Sequence, residues 1–201
     1  MPGPAAPHVL IVYASTHGHT GRIAEHLGTT LEQEGLAVRV AAVGAVSEQD
    51  VADADGVIAA ASVHLGHHQR KMVRWLERHA EALAGRPTAL VSVSLTAADD
   101  TDEARATTQA LIDDVLADAH WTPTSTVAVA GALQYQAYNL PTRLLMKLIS
   151  RSHGGPTDTS QDAELTDWAG VERFARAFAA ELRQPGSSTA LRGTTTTGHG
   201  D

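Results

Sequence analysis

Short apolar segments alternate along the chain with segments whose apolar residues recur at helical spacing, and this alternation limits the possible folds more than any other feature. Because two parallel strands need a long crossover between them, strands separated by helices predict a parallel sheet covered on both faces. We therefore expect a doubly wound α/β fold with an open sheet of five parallel strands. The predicted strands are 9–13, 38–43, 56–61, 89–93 and 127–130.

Four helical patterns follow these strands, at 23–31, 72–83, 102–119 and 171–182. Thr101 and Thr166 precede the last two patterns, and threonine is a preferred N-cap residue. Arg39 in the second predicted strand indicates a sheet edge. Ligands of doubly wound sheets bind beyond the carboxyl ends of the strands. The residues that directly follow each strand are therefore the first candidates for a functional site.

The turn after the first strand is the clearest candidate for a ligand site. It is rich in hydroxyl groups, and its glycine lets the backbone approach a ligand closely. No acid occurs in 14–23 to hold magnesium, no Gly-Lys-Ser/Thr pattern is present, and only Gly18 and Gly21 could serve a GxGxxG motif. The turn suits a phosphate bound without magnesium, as in FMN; the alternative is an ordinary capped helix start. Its residues are Ser15, Thr16, His17, Gly18, His19 and Thr20.

Composition excludes several classes of function. The chain has no cysteine, which rules out disulfides, thiolate zinc sites, iron–sulfur clusters and a cysteine nucleophile. With 15 basic and 23 acidic residues, the net charge of −8 argues against general nucleic-acid binding. Residues 1–7 lack a signal-peptide pattern, and no apolar stretch approaches the roughly 18 residues of a membrane span. We expect a cytoplasmic protein.

Histidines cluster after the third strand, where His64, His67 and His68 could combine with His17 and His19. A metal site is not predicted, because 62–68 supplies no carboxylate and adjacent histidines cannot easily share one ion. Instead of binding a metal, these histidines could contact the edge of a reduced flavin or simply be solvated. A hydrolase is not predicted either, because the sequence around Ser62 lacks the glycines of a nucleophile elbow.

Several short motifs in the last part of the chain carry a family resemblance. They are Ala130-Gly131-Ala132-Leu133 with Tyr135 and Tyr138, Met146-Lys147-Leu148-Ile149, Gly154-Gly155-Pro156-Thr157-Asp158-Thr159, Thr166-Asp167-Trp168 and Phe174-Ala175-Arg176-Ala177-Phe178-Ala179. With these motifs and the turn after the first strand, the chain resembles the flavodoxin-like protoporphyrinogen IX dehydrogenases that use menaquinone. The resemblance covers roughly residues 9–182.

The resemblance implies a flavodoxin-like sheet with strand order 2-1-3-4-5 in a domain spanning 1–184, with a family-type insert at 134–161. It implies FMN as the cofactor, protoporphyrinogen IX as the substrate and a quinone as the acceptor, in haem biosynthesis. Residues 185–201, rich in Gly, Ser and Thr, are predicted to be a disordered tail.

Flavin-contacting residues are implied at the ends of three further strands. Segments 62–68 and 95–102 lack the aromatic rings that such proteins stack on the isoalloxazine, and Leu65 stands where the resembling enzymes tend to carry one. The implied contacts are Ser62, Val63, His64, Leu65, Gly66, His67, Leu95, Gly131, Ala132, Leu133 and Tyr135.

A basic stripe lies inside the insert, where Arg143, Lys147 and Arg151 are four residues apart in an acid-free segment. It could bind anionic lipid at the inner face of the cell membrane, bind the propionates of a tetrapyrrole, or be a solvated helix face. Two other functions share the fold: an electron carrier without a small substrate, and an NAD(P)H-dependent quinone or FMN reductase. The insert favours the tetrapyrrole enzyme, because a plain carrier needs no basic, apolar segment there.

Overall fold

The computed structural model describes residues 5–133 and 163–183. Its core is a parallel sheet in the order β2-β1-β3-β5-β6, and a short strand, β4, pairs antiparallel with β3. With β4 set aside, this is the predicted 2-1-3-4-5 order, and the doubly wound α/β fold is confirmed. The sheet strands are β1 (His8–Ala14), β2 (Ala37–Ala42), β3 (Gly56–His64), β4 (His67–His68), β5 (Thr88–Ser94) and β6 (Ser125–Ala130).

Helices cover both faces of the sheet. Helices α1 and α5 pack on one face together with Val9 and Ile11 of β1, whereas α2, α3 and α4 pack on the other with Leu10 and Val12. Successive strand residues point to opposite faces, so a strand covered on both sides is apolar throughout. The helices are α1 (His19–Gln33), α2 (Glu48–Ala52), α3 (Arg70–Leu83), α4 (Asp102–Asp118) and α5 (Trp168–Leu182).

Three local features differ from the sequence expectations. Helix α2 was not predicted; its five residues are too few for a periodic pattern, although a Ser47–Asp50 capping box starts it. Strand β3 continues to His64 and turns back into β4, so residues 62–68 form a hairpin rather than an open loop. Thr101 caps α4 as expected, but the cap of α5 is Asp167 and not Thr166.

The two ends of the segment 134–162 are brought together by an antiparallel ribbon of β7 (Ala132–Leu133) and β8 (Ala163–Glu164). The predicted insert and the predicted tail lie outside the described residues, as do Tyr135, Arg143, Lys147 and Arg151. Within the two described ranges, no helix has the length and apolar character needed to cross a membrane.

Candidate functional site

A concavity of about 90 Å³ lies at the carboxyl edge of the sheet, where the ends of β1, β3, β5 and β6 meet. The topology therefore brings together residues that are far apart in the sequence. Eleven of the predicted site residues line the concavity. They are Ser15, Thr16, His17, His19, Thr20, Ser62, Val63, His64, Leu95, Gly131 and Ala132.

The turn between β1 and α1, residues 15–18, forms the floor of this concavity and is called the phosphate loop below. Gly18 is the N-cap of α1 with φ +88°, a left-handed conformation that a side chain would strain. No side chain caps α1 and its first turn holds no acid, so its first N–H groups remain available to a ligand. Ser15 Oγ accepts a hydrogen bond of 2.9 Å from the Gly18 N–H and closes the turn.

The phosphate loop is held from one side by the start of α3. The Gln69 side-chain amide donates to Thr16 Oγ1 at 3.0 Å and to Ser62 Oγ at 2.6 Å, so it links the ends of β1 and β3. Because both hydroxyl oxygens accept from Gln69, their own hydrogens can be donated elsewhere. Lys71 Nζ donates to the Ser15 carbonyl oxygen at 3.3 Å.

From the other side, the residues before α5 hold the first turn of α1. The Thr166 hydroxyl donates to the Ala130 carbonyl oxygen at 2.8 Å, and His19 Nε2 lies 2.8 Å from the same hydroxyl oxygen. Since the single hydroxyl hydrogen goes to Ala130, the His19 Nε2 must carry the proton and donate it. The Trp168 ring lies against α1, with the Arg22 guanidinium 5.7 Å from its centroid.

Sequence reasoning missed Gln69 and Lys71 altogether, and it gave Thr166 the role of a helix cap. All three act on the phosphate loop or on the helix that follows it from distant elements. Thr166 did fall within a motif of the family resemblance, which was the one available signal. A single lysine or glutamine at the start of an amphipathic helix has no distinguishing pattern, because such residues are common on solvated helix surfaces.

The hairpin after β3 presents an unusual apolar residue. Leu65 and Gly66 connect β3 to β4 with φ +50° and +79°, and positive φ at both residues is what a type I′ turn requires. Leucine is strained there, and its side chain is 92% exposed, unlike every other large apolar side chain in the described part of the chain. The His64 ring at the base of the hairpin lies 6.0 Å, between centroids, from the His17 ring of the phosphate loop.

The two histidines of β4 have opposite environments. His67 is exposed, while His68 is buried with Nε2 2.9 Å from Ser92 Oγ. Burial lowers the pKa of His68 to about 4, and the nearby charge of Asp114 offsets this only in part, so His68 is neutral at pH 7. Because successive residues of a strand point to opposite faces, the adjacent residues His67 and His68 lie in different environments.

Within 5–133 and 163–183, no three histidine, aspartate or glutamate side chains come together as a metal site.

The remaining predicted site residues lie beside the concavity rather than in it. Leu65 is at the hairpin tip, and Leu133 belongs to the β7–β8 ribbon. Gly66 and His67 line a second, larger concavity of about 510 Å³ between α3, α4 and the hairpin. That lining mixes Arg70 and Arg74 with two aspartates and has no consistent charge.

Comparison with known proteins agrees with this geometry. A family model described as "Flavodoxin domain" matches residues 10–160. The chain is 32% identical over 170 residues to the Escherichia coli K12 protein named protoporphyrinogen IX dehydrogenase [quinone], covering 85% of this chain and 93% of that protein. A Leishmania major protein of the same name is 34% identical over 177 residues, covering 87% of this chain and 76% of the relative.

Solved structures show the same fold at low sequence identity. The Streptococcus pneumonia TIGR4 flavodoxin has a TM-score of 0.52 at 21% identity, covering 88% of this chain and 97% of that one. A short-chain flavodoxin associated with a non-canonical PDU bacterial microcompartment has a TM-score of 0.55 at 14% identity, covering 88% and 99%. By these matches and by its fold, the chain belongs to the flavodoxin domain family, in the group whose curated relatives are named protoporphyrinogen IX dehydrogenase [quinone].

Proposed function

We propose that the protein is an FMN-dependent oxidoreductase that oxidises protoporphyrinogen IX to protoporphyrin IX and passes the electrons to a quinone. The observation that carries the proposal is the similarity, over 85% of the chain, to relatives named for this reaction. It is supported by a phosphate-type loop at the edge of the sheet where doubly wound folds bind their ligands.

The phosphate group of FMN fits the phosphate loop. An anion there would meet N–H groups at the start of α1, the positive end of that helix and the hydroxyls of Thr16 and Thr20. The concavity of about 90 Å³ holds several waters, and therefore a phosphate group rather than the whole cofactor. The residues 14–23 include no acid that would repel a phosphate or hold magnesium.

The rest of the cofactor would lie along the ends of β3, β5 and β6. Our candidate contacts are the remaining lining residues, the hairpin tip and the segment after β6. Ring N–H donors of His17 and His64 at the mouth would stabilise negative charge on a reduced flavin. FMN, when bound, supplies the redox chemistry, and the protein binds and orients it. The candidate contacts to the rest of FMN are Ser62, Val63, His64, Leu65, Gly66, His67, Leu95, Gly131, Ala132, Leu133 and Tyr135.

Purified protein should be yellow and should bind FMN with the spectrum of a bound flavin. Replacing Ser15 and Thr20 together with alanine removes hydroxyls from the phosphate loop and should weaken FMN binding by about 1–3 kcal/mol. The melting temperature is measured alongside. Equal FMN affinity in the double variant would contradict the proposed cofactor site.

The reaction itself is tested anaerobically with protoporphyrinogen IX and menaquinone, by following the appearance of fluorescent protoporphyrin. The product should form only when protein, FMN and quinone are all present. FMN binding without any turnover would instead support an electron carrier that has no small substrate.

For the basic stripe we propose a contact with the anionic substrate or with an anionic membrane surface at the inner face of the cell membrane. Arg143, Lys147 and Arg151 supply three positive charges in a segment without acids, and each such charge near an anionic surface contributes about 1 kcal/mol. Replacing all three with glutamine should reduce turnover or vesicle association while FMN content stays the same. Vesicle association should also fade at 1 M salt, where the Debye length is about 3 Å.

A further inference from the structure

The phosphate loop contains no lysine or arginine of its own. Arg22 is the nearest cation in the sequence, and its guanidinium lies over the Trp168 ring on the α5 side. A flavin phosphate carries up to two negative charges, which the loop alone would meet only with hydroxyls and N–H groups. A lysine or arginine for the phosphate therefore has to come from another element.

Lys71 is the cation that the fold brings to this loop. Its Nζ atom lies 3.3 Å from the Ser15 carbonyl oxygen, although the two residues are 56 positions apart. Gln69, two residues earlier, is bonded to Thr16 and Ser62, so the start of α3 is fixed against the loop. Lys71 is exposed, and its hydrogen bond to Ser15 places the ammonium next to the phosphate loop.

The position of Lys71 is electrostatically unfavourable without an anion nearby. It lies in the first turn of α3, where the positive end of the helix repels a cation. That turn holds no acid, and no ion pair among the described residues involves the Lys71 ammonium. An ammonium has three N–H donors, and the Ser15 carbonyl uses one of them.

We propose that Lys71 supplies the positive charge for the flavin phosphate and makes the protein select FMN over riboflavin. The inference rests on the proposed FMN site. The ammonium stays attached to the Ser15 carbonyl by one N–H and donates another to a phosphate oxygen, which favours the dianionic form of the phosphate. Lys71 is a specificity residue for the cofactor and takes no part in the redox step.

Titration of the full-length apo-protein with FMN and with riboflavin tests this role, because riboflavin lacks the phosphate. Lys71→Met should weaken FMN binding roughly tenfold, as expected for one charge-assisted hydrogen bond made by an exposed side chain. Riboflavin affinity and melting temperature should not change. Lys71→Arg should retain most of the FMN affinity, and Arg78→Met, an exposed cation on the same helix, serves as the matched control.

Two further readouts follow the charge directly. FMN affinity of the wild-type protein should fall with added salt more steeply than that of Lys71→Met. The phosphorus NMR signal of bound FMN should titrate at a higher pH in Lys71→Met, because the dianion loses its cation.

The results separate the possible failures. An equal loss of FMN and riboflavin affinity would show that Lys71 only braces the loop, and unchanged FMN affinity would show that it does not meet the phosphate; either overturns the inference while the FMN site stands. If the wild-type protein binds no FMN, the proposed function itself fails.

Discussion

The two loops that border the candidate site are held in different ways. The phosphate loop is closed locally by the hydrogen bond from Gly18 to Ser15, and the distant residues Gln69 and Lys71 of the α3 start also hold it. The hairpin at Leu65–Gly66 is held by its own strand pairing, His64 with His67 and Val63 with His68. The phosphate loop therefore owes its shape to long-range contacts, and the hairpin owes its shape to residues within a few positions.

The two loops are therefore sensitive to different substitutions. The hairpin is fixed to the core by one buried residue, His68, and its tip is free to carry a strained apolar side chain. The phosphate loop has no buried anchor of this kind in 15–18, so its geometry depends on polar contacts that a single substitution can remove. Changes in the hairpin should chiefly affect stability, and changes around the phosphate loop should chiefly affect cofactor binding.

The stability of the protein should depend most strongly on the protonation of His68. Below pH 6.5 the unfolded chain gains a proton at His68, whereas the folded chain gains it only near its lowered pKa of about 4. The free energy of unfolding should therefore fall by roughly 3 kcal/mol as the pH is lowered from 6.5 to 4, and this contribution should be constant above pH 7.

Denaturant unfolding at several pH values measures this dependence. His68→Gln should flatten it, while His67→Gln, the exposed neighbour on the same strand, should keep it. If His68→Gln and the wild type lose stability in parallel between pH 6.5 and 4, the burial of neutral His68 is not the source of the pH dependence.

The next effect tests the backbone of the phosphate loop. Gly18→Ala places a side chain at φ +88°, which should cost about 1–2 kcal/mol of stability in backbone strain, since no atom lies within 4 Å of the added carbon. FMN binding should weaken as well if the loop relaxes. Gly44→Ala, with open space and no positive φ, is the matched control and should be close to neutral.

Thermal unfolding of the two glycine variants checks this prediction. A cost that is the same at both positions would show that the left-handed conformation of Gly18 is not a constraint on the loop.

Gln69→Ala tests the long-range contacts themselves. Loss of the two hydrogen bonds should reduce FMN affinity by about 1 kcal/mol, because the Thr16 and Ser62 hydroxyls are no longer oriented. Stability should change little, since Gln69 is only half-buried. Gln109→Ala, which removes a surface contact to Asp113 on α4, is the control for FMN titration. If Gln69→Ala lowers stability but not FMN affinity, the contacts around the phosphate loop serve the fold rather than cofactor binding, which contradicts the proposed difference between the loops.

The smallest effect is a gain in stability at the hairpin tip. Leu65→Asn gives the Asn-Gly pair that type I′ turns prefer and should stabilise the protein by about 0.5–1 kcal/mol, a rise of about 1–4 °C in melting temperature. Flavin or substrate affinity should fall if Leu65 makes an apolar contact, and this is measured on the same samples. A lower melting temperature would show that Leu65 is supported by its surroundings rather than strained.

Local residue patterns were enough to predict the doubly wound sheet and the edge at which sheets of this kind bind ligands. Buried parallel strands must be apolar on both faces, so segments such as 56–61 could be assigned from local pattern alone. The strand–turn–helix unit of β1 and α1 could be predicted as well, because its hydroxyls, its glycine and the following helix are consecutive in the chain. A family resemblance over most of the chain then pointed to the function that the relatives' names support.

The side chains that support this turn, and the choice of which histidine is buried, depend on how distant elements pack. Gln69 and Lys71 reach the loop because α3 begins at the same edge of the sheet, and Thr166 reaches His19 because α5 begins beside β6. His68 is buried and His67 exposed because β3 turns back into a short strand that the sequence pattern did not reveal. Contacts of this kind depend on how distant elements pack, and packing leaves no periodic trace in the residues that make them.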